Sequence, residues 1–411
     1  SGPAGRSGPG STATVTARNL TGVVGADVVT LTGGTATFDT KDVGAGKTVT
    51  LTGATLTGAN AANYTLATVN TTTAAITAKA LTITGLTAQD KVYTGTLPAA
   101  LTGTAALAGI VGAEAVALTG TAAGAFATAG VGAGKNVTVS GLTLTGGDAG
   151  NYTLTPLVLT AAITTAPLTV TAENKTKTYD GTTYTGGYTT SYAGFVNSET
   201  TGVLGGTLSF GGAAATATQA GAHAITSSGL TSDNYTVTFT DGTLTIAKKG
   251  ASVTPTAAAK IFGTGDPFLT GTRTGFMAVD NITATYSRTA GESVGSYPVT
   301  ATLAPASVLA NYDIVYGTDQ LTIGKASPTI TWPQPAAIVY GTPLSAAQLN
   351  AVGSVPGTLT YSPVGGTVLE PGTYTLSVSF MPADGTNYNG PITATVTLVV
   401  ELPAAPAAID D

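Results

Sequence analysis

One dipeptide, Asn-Tyr, constrains this chain more than anything else in it. It occurs at Asn63-Tyr64, Asn151-Tyr152, Asn234-Tyr235, Asn311-Tyr312 and Asn387-Tyr388, at successive spacings of 88, 83, 77 and 76 residues. A fixed period of this size marks a row of small domains built on one plan. A second landmark follows each pair. Ala-Ala-Ile-Thr-Ala-Lys-Ala-Leu-Thr-Ile-Thr stands at 74–84, and Ala-Ala-Ile-Thr-Thr-Ala-Pro-Leu-Thr-Val-Thr at 161–171. Leu168 and Val170 alternate with Thr169 and Thr171, the period of a strand. We read the last strand of one repeat as running almost directly into the first strand of the next. Such a short joint predicts stiff coupling.

A third landmark opens each repeat. Lys91-Val-Tyr-Thr-Gly95 aligns with Lys177-Thr-Tyr-Asp-Gly181, Lys260-Ile-Phe-Gly-Thr264 and Ile338-Val-Tyr-Gly-Thr342. The expectation is an aromatic entering the repeat's core before a turn. The boundaries that follow are 11–77, 78–164, 165–247, 248–324 and 325–401. Residues 1–10 read as a linker or expression scar, and 402–411 as a linker or tail. The first repeat is short. Leu20–Gly33 aligns with Leu107–Gly120, but nothing matches 78–96, so the first strand and the aromatic turn are missing and the repeat reads as truncated.

Composition supports strands. Hydrophobic residues make up 43%, charged residues only 9%, and there are 55 glycines. β-Branched Thr and Val suit a pleated sheet, and Gly supplies turns. About 80 residues with roughly seven short strands predicts an immunoglobulin-like Greek-key β-sandwich. The chain is therefore expected to be all-β, its sandwiches set end to end as an elongated rod. Parallel pairing would call for helical crossovers, and no 3.6-residue stripe is present. At about 35–40 Å per repeat, five repeats would reach on the order of 170–200 Å. Tyr64, Tyr152, Tyr235, Tyr312 and Tyr388 are expected to be structural, partly buried with bonded hydroxyls, much as immunoglobulin domains use a Tyr at a strand start.

The same composition is poor ground for catalysis. His223 is the single histidine and cysteine is absent, which leaves no triad base and no His/Cys metal site. Glu114, Glu173, Glu199, Glu292 and Glu370 stand in unrelated settings, with no pair suited to glycoside hydrolysis. Gly-Ala-Gly-Lys at 44–47 and 132–135 lacks the spacing of a phosphate loop and reads as a hairpin turn. Net charge is −6 without a basic cluster, so nucleic acid is not an expected partner. The apolar stretch Leu97–Leu118 contains Glu114, Pro98 and several Gly and is no membrane span. No signal peptide or initiator Met opens the chain, so its address signals are expected elsewhere in a longer protein. Asn-x-Thr at Asn63 and Asn151 matters only in a glycosylating host. Calcium is the ion to consider, with Asp39, Asp42, Asp148, Asp233, Asp241 and Asp384 as weak candidate ligands. No cofactor is otherwise expected, and lysines are too few to suggest covalent cross-links. The third repeat holds a local enrichment of aromatics, Tyr179, Tyr184, Tyr188, Tyr192 and Phe195. Of these, Tyr184, Tyr188 and Tyr192 are the candidate binding residues for a host or neighbouring-cell glycan or protein.

These landmarks resemble known repeat families. Repeats two and three, with Lys-Thr-Tyr-Asp-Gly at 177–181 and Ser-Asp-Asn-Tyr at 232–235, resemble the YDG domain, and repeat one a truncated copy of it. Repeats four and five resemble MBG domains through Lys-Ile-Phe-Gly-Thr at 260–264, Val-Tyr-Gly-Thr at 339–342 and Tyr-Gly-Thr-Asp-Gln-Leu-Thr-Ile at 316–323. Repeat two departs from the motif, with Tyr-Thr-Gly for Tyr-Asp-Gly. The resemblance implies a large bacterial surface or secreted protein of the filamentous-haemagglutinin-like adhesin kind, with no catalytic residues to carry over. The expected role is a non-catalytic stalk or adhesive segment outside the cell. The alternatives are a ligand-binding adhesion module, and a filament subunit that self-associates by strand addition at the incomplete first repeat.

Overall fold

The computed structural model describes residues 12–405. The linker expected at 1–10 and most of the tail expected at 402–411 fall outside them. Strands dominate, and the helical elements of the described residues are short 3-10 segments of three to six residues. The chain divides into two compact units. One holds the chain up to Glu173 with Thr189–Phe210 and Thr226–Asp241. The other holds Asn174–Tyr188, Gly211–Ile225 and the chain from Gly242 onward.

The fourth repeat, in the second unit, shows the plan. Its first strand, Lys249–Pro255, lies between Gly271–Thr274, antiparallel, and Tyr312–Tyr316, parallel. The second sheet runs Ala258–Ile261, Asp319–Gly324, Gly295–Ala304 and Thr283–Arg288, with its first pair parallel. Parallel pairs thus form without helices, contrary to the sequence reading. The connection between two parallel strands passes through the opposite sheet of the sandwich, which supplies the crossover that a helix supplies elsewhere. The second repeat repeats the plan: Lys79–Ala88 lies between Leu101–Ala108 and Tyr152–Leu154, and Leu157–Thr164 pairs parallel with Lys91–Val92. In the third, Ala166–Ala172 lies between Thr190–Ala193 and Tyr235–Thr240. Leu168 and Val170 are fully buried while Thr169 and Thr171 stay half-open. The fold is all-β, a tandem of immunoglobulin-like sandwiches.

Glycine does more than turn the chain. Gly85 and Gly103 face each other inside an antiparallel strand pair at φ +81° and +95°, where the register slips by a residue. Gly120 with Gly141, and Gly206 with Gly229, form the same arrangement. These are double bulges in mid-strand, where a sheet bends. Gly-Ala-Gly-Lys likewise makes no hairpin turn. It begins the strands Gly44–Thr57 and Gly132–Thr145 with a bulge, Gly46 and Gly134 take positive φ, and the lysine folds back to Thr40 or Thr128.

The first repeat forms a single described sheet, Thr12–Ala13, Thr30–Phe38, Gly44–Thr57 and Thr72–Ile76. Its core is Ala36, Phe38, Val49 and Ile76.

Candidate functional site: the joint between repeats

The lysine two residues before the aromatic in the second, third and fourth repeats explains the third landmark there; the fifth has Ile338 in its place. Lys91 Nζ donates to the carbonyls of Thr96 and Pro98, at 2.6 and 3.0 Å, and Lys177 Nζ donates to Asp180 and the Thr182 carbonyl, both at 2.7 Å. Each ammonium ties down the turn that follows it. Lys260, buried, instead meets Asp266 at 2.8 Å and Glu292 at 2.5 Å, and Arg288 holds both carboxylates from the other side. Arg288 and then Lys260 hold the Asp266 carboxyl well below its usual range, and the same two cations lower Glu292. A carboxylate whose folded pKa is depressed contributes stability above its ordinary pKa and loses it as pH falls. Below about pH 4, amide exchange in Ala258–Ile261 is therefore expected to speed up more than at Lys91–Val92, whose lysine is bound to neutral oxygens. Equal acceleration at both strands would refute this account.

With their turns fixed, the aromatics stand where two repeats meet. Tyr93 of the second repeat is buried against Tyr235 of the third, ring centroids 5.5 Å apart and nearly perpendicular. Tyr179 meets Tyr312 in the same way at 5.5 Å, and Phe262 meets Tyr388 at 5.4 Å. This edge-to-face packing is the favoured geometry for aromatic quadrupoles. The aromatic does join its own core, Tyr93 with Phe126, Val137 and Ile163 and Phe262 against Val299, Leu321 and Ile323, and the same ring also packs on the next repeat. Tyr340 of the fifth repeat keeps 43% of its surface exposed.

A single carboxylate gathers the hydroxyls. Glu199 accepts from Tyr93 at 2.7 Å and from Tyr235 at 2.5 Å, and the Val196 amide donates to the Tyr235 oxygen. Asp280 accepts from Tyr179 at 2.9 Å and also from Tyr312, whose oxygen accepts from the Met277 amide. The Glu199 bond, reinforced by burial, pushes the Tyr93 hydroxyl up to about 12; burial and then Asp280 do the same for Tyr179. At the first joint no aromatic turn is available. Lys41 approaches Glu114, at 3.7 Å, and Asp148, while Glu114 accepts from Tyr152 at 2.5 Å.

The asparagine completes the joint. Asn151, Asn234, Asn311 and Asn387 each turn Oδ1 to a backbone amide of the preceding repeat, at Val43, Val131, Ala220 and Val294, 2.8–3.0 Å away. Asn151 and Asn311 are buried. All four donors lie one residue before the glycine that opens the next strand, at Gly44, Gly132, Gly221 and Gly295. Apolar packing closes the second joint: Phe126, Val137 and Ile163 of one repeat share a core with Ala166, Leu168 and Tyr235 of the next. Two joints lie within the first unit and two within the second. The sequence signal for this clamp was present in the three landmarks, but nothing in it revealed that they meet across a boundary.

Of the other candidates, Asp42, Asp148 and Asp384 border the joints, through Asn151, Lys41 and Asn387, and the rest lie apart from them. Tyr64 donates to Asp27 at 2.7 Å within the first repeat. Asp39 accepts from the Thr40 amide, Asp42 from Asn151, Asp148 from the Ala115 amide and Asp384 from the Thr386 and Asn387 amides. Asp233 and Asp241 occupy separate turns. Among the described residues, no three acidic or histidine side chains come together. The His223 ring meets the Gln219 carbonyl at 2.9 Å. Glu173 binds Thr189, and Glu370 accepts from Tyr340. Tyr184 packs on Tyr188, whose hydroxyl donates to the Ala214 carbonyl, and the Tyr192 oxygen accepts from Thr190. No helix of the described residues is long and apolar enough to cross a membrane.

Repeated sandwiches joined by recurring contacts define the class: a tandem immunoglobulin-like repeat protein. The YDG domain family matches residues 9–74 and 77–159, and the MBG domain (YGX type) family matches 168–245 and 251–322. The chain belongs to these families, carrying YDG and MBG domains in tandem. The third repeat, read as YDG-like from 177–181, is matched by the MBG family. No curated protein matches the chain. Among solved structures it is similar to Drosophila N-cadherin EC1-4 (10% identity, 71% of this chain and 85% of that one, TM-score 0.20). It is also similar to mouse cadherin-23 EC22-24 (14%, 58% and 99%, 0.22) and Sidekick-1 immunoglobulin domains 1-5 (10%, 79% and 77%, 0.20).

Proposed function

We propose that this chain is a non-catalytic structural repeat region of a bacterial surface or secreted adhesin, a stalk whose work is to hold a defined spacing outside the cell. The observation that carries this reading is the joint. The Asn side chain clamps the preceding backbone at every boundary, and aromatic edge-to-face packing recurs at three of the four. Side chains with paired polar groups and buried rings leave little rotational freedom to a joint one or two residues long. Small-angle X-ray scattering with and without calcium tests the proposal. A constant cross-section and a length on the order of 170–200 Å are expected in both conditions. A compact particle, or one that extends only with calcium, would refute the passive stalk.

A further inference from the structure

A pull along the chain enters each repeat at its first strands and leaves at its last. In the fourth repeat these strands are neighbours that run the same way. Ala258–Ile261 lies parallel to Asp319–Gly324, and Lys249–Pro255 lies parallel to Tyr312–Tyr316, which leads directly into Asp319–Gly324. Opposed pulls on the start of one strand and the end of its parallel neighbour slide the two along each other. Their hydrogen bonds, evenly spaced across the strands, are then loaded together. An antiparallel hairpin pulled at its two free ends instead opens one bond at a time. Parallel pairing between the first and last strands is thus the arrangement that resists tension.

The repeats differ in how much of this pairing they hold. In the third, Lys175–Thr178 pairs over four residues with 244–247, and 166–171 pairs with Tyr235–Thr240. In the fourth, the two parallel pairs extend over four and five residues. Buried Lys260 also ties its strand to Asp266 and Glu292. In the second repeat the pairs shrink to two residues, at Lys91–Val92, and three, at Tyr152–Leu154. In the fifth, Ile338–Val339 pairs over two residues, and a single parallel bridge between Ala326 and Tyr388 stands in for the other pair. Both pairs therefore rank the third and fourth repeats above the second and fifth.

We propose that the chain is a graded load-bearing element: under tension the second and fifth repeats open first and lengthen it, while the third and fourth hold. An opened repeat of about 80 residues spans about 260–290 Å, where a folded one spans about 35–40 Å. The first openings thereby relieve the tension on whatever the chain connects. The inference rests on the stalk reading. Scattering measures the unloaded shape and a force measurement the resistance to load, so each can fail alone. The full chain is held between two handles at constant force, and the lifetime of each repeat is recorded. Because the chain has no cysteine, one engineered pair locks one chosen repeat. Thr176→Cys with Thr245→Cys locks the third and Val92→Cys with Thr164→Cys the second, each across a parallel pair and at exposed positions. Ala259→Cys with Thr322→Cys locks the fourth in the same way. Oxidation removes the locked repeat's step from the record, and reduction restores it. The step lost with the third or fourth repeat locked is expected to outlast the step lost with the second by about tenfold or more, since forced opening follows the unfolding rate and each further ladder bond slows it several-fold. Equal lifetimes, the reverse order, or one common step for the second and third repeats would overturn the proposal.

Discussion

Replacing Glu199 with alanine is expected to loosen the joint between the second and third repeats by about 3–5 kcal/mol. Two tyrosine hydroxyls on nearly buried rings, Tyr93 at 5% and Tyr235 at 3% exposure, give up their common acceptor. A hydrogen bond to a charged group contributes about 1.5–3 kcal/mol, and an orphaned buried donor costs its full desolvation. Tyr93→Phe removes one of the two bonds and keeps the ring packing, so about half the effect is expected. A chain of five repeats does not unfold in one step, so the readout is native-state exchange of the amides in Ala166–Ala172. A loss below about 1 kcal/mol would mean that the apolar cluster alone holds the joint. The same hydroxyls give the joint an alkaline limit. A tyrosine whose folded pKa is raised contributes stability that is complete below its unfolded value of 10.0 and fades as pH rises toward about 12. Joints two and three should open in that window, and the fourth, where Phe262 replaces the tyrosine, should respond less.

Gly103→Ala is expected to cost more than about 3 kcal/mol in the second repeat. A Cβ there would sit 2.0 Å from the Gly85 carbonyl oxygen, at a φ of +95° that L side chains rarely adopt. Backbone on the opposite strand cannot move aside without breaking the double bulge. Gly134 also takes positive φ, +58°, but faces open space, so Gly134→Ala should cost only about 1 kcal/mol from the backbone itself. Urea unfolding of the two variants separates the cases. Equal, small losses would show that the bulge relaxes and that its glycines are interchangeable with other residues.

Much of this architecture could be read directly from residues. The five Asn-Tyr pairs set the number of repeats, and alternation such as Leu168-Thr169-Val170-Thr171 placed strands correctly on either side of each boundary. Other features were out of reach. Between Gly85 and Gly103 the chain visits the other sheet at Lys91–Val92 and Pro98–Ala99, and their pairing depends on register, which local composition does not encode. Parallel pairing of Lys249–Pro255 with Tyr312–Tyr316 joins residues some sixty positions apart.

The clamp itself shows the division between the two sources most clearly. Local sequence determined that Lys91, Tyr93, Asn234 and Tyr235 occupy turns and strand starts, because turn chemistry and side-chain alternation act over a few residues. It placed all of them in motifs and assigned each to its own repeat. Only the tertiary structure decided that the Tyr93 ring also meets Tyr235 of the next repeat, that Asn234 reaches back to Val131, and that Glu199 serves two hydroxyls 142 positions apart. Those contacts arise when two folded surfaces meet, and the free energy that selects them, burial of rings and pairing of polar groups, has no term that neighbouring residues can reveal.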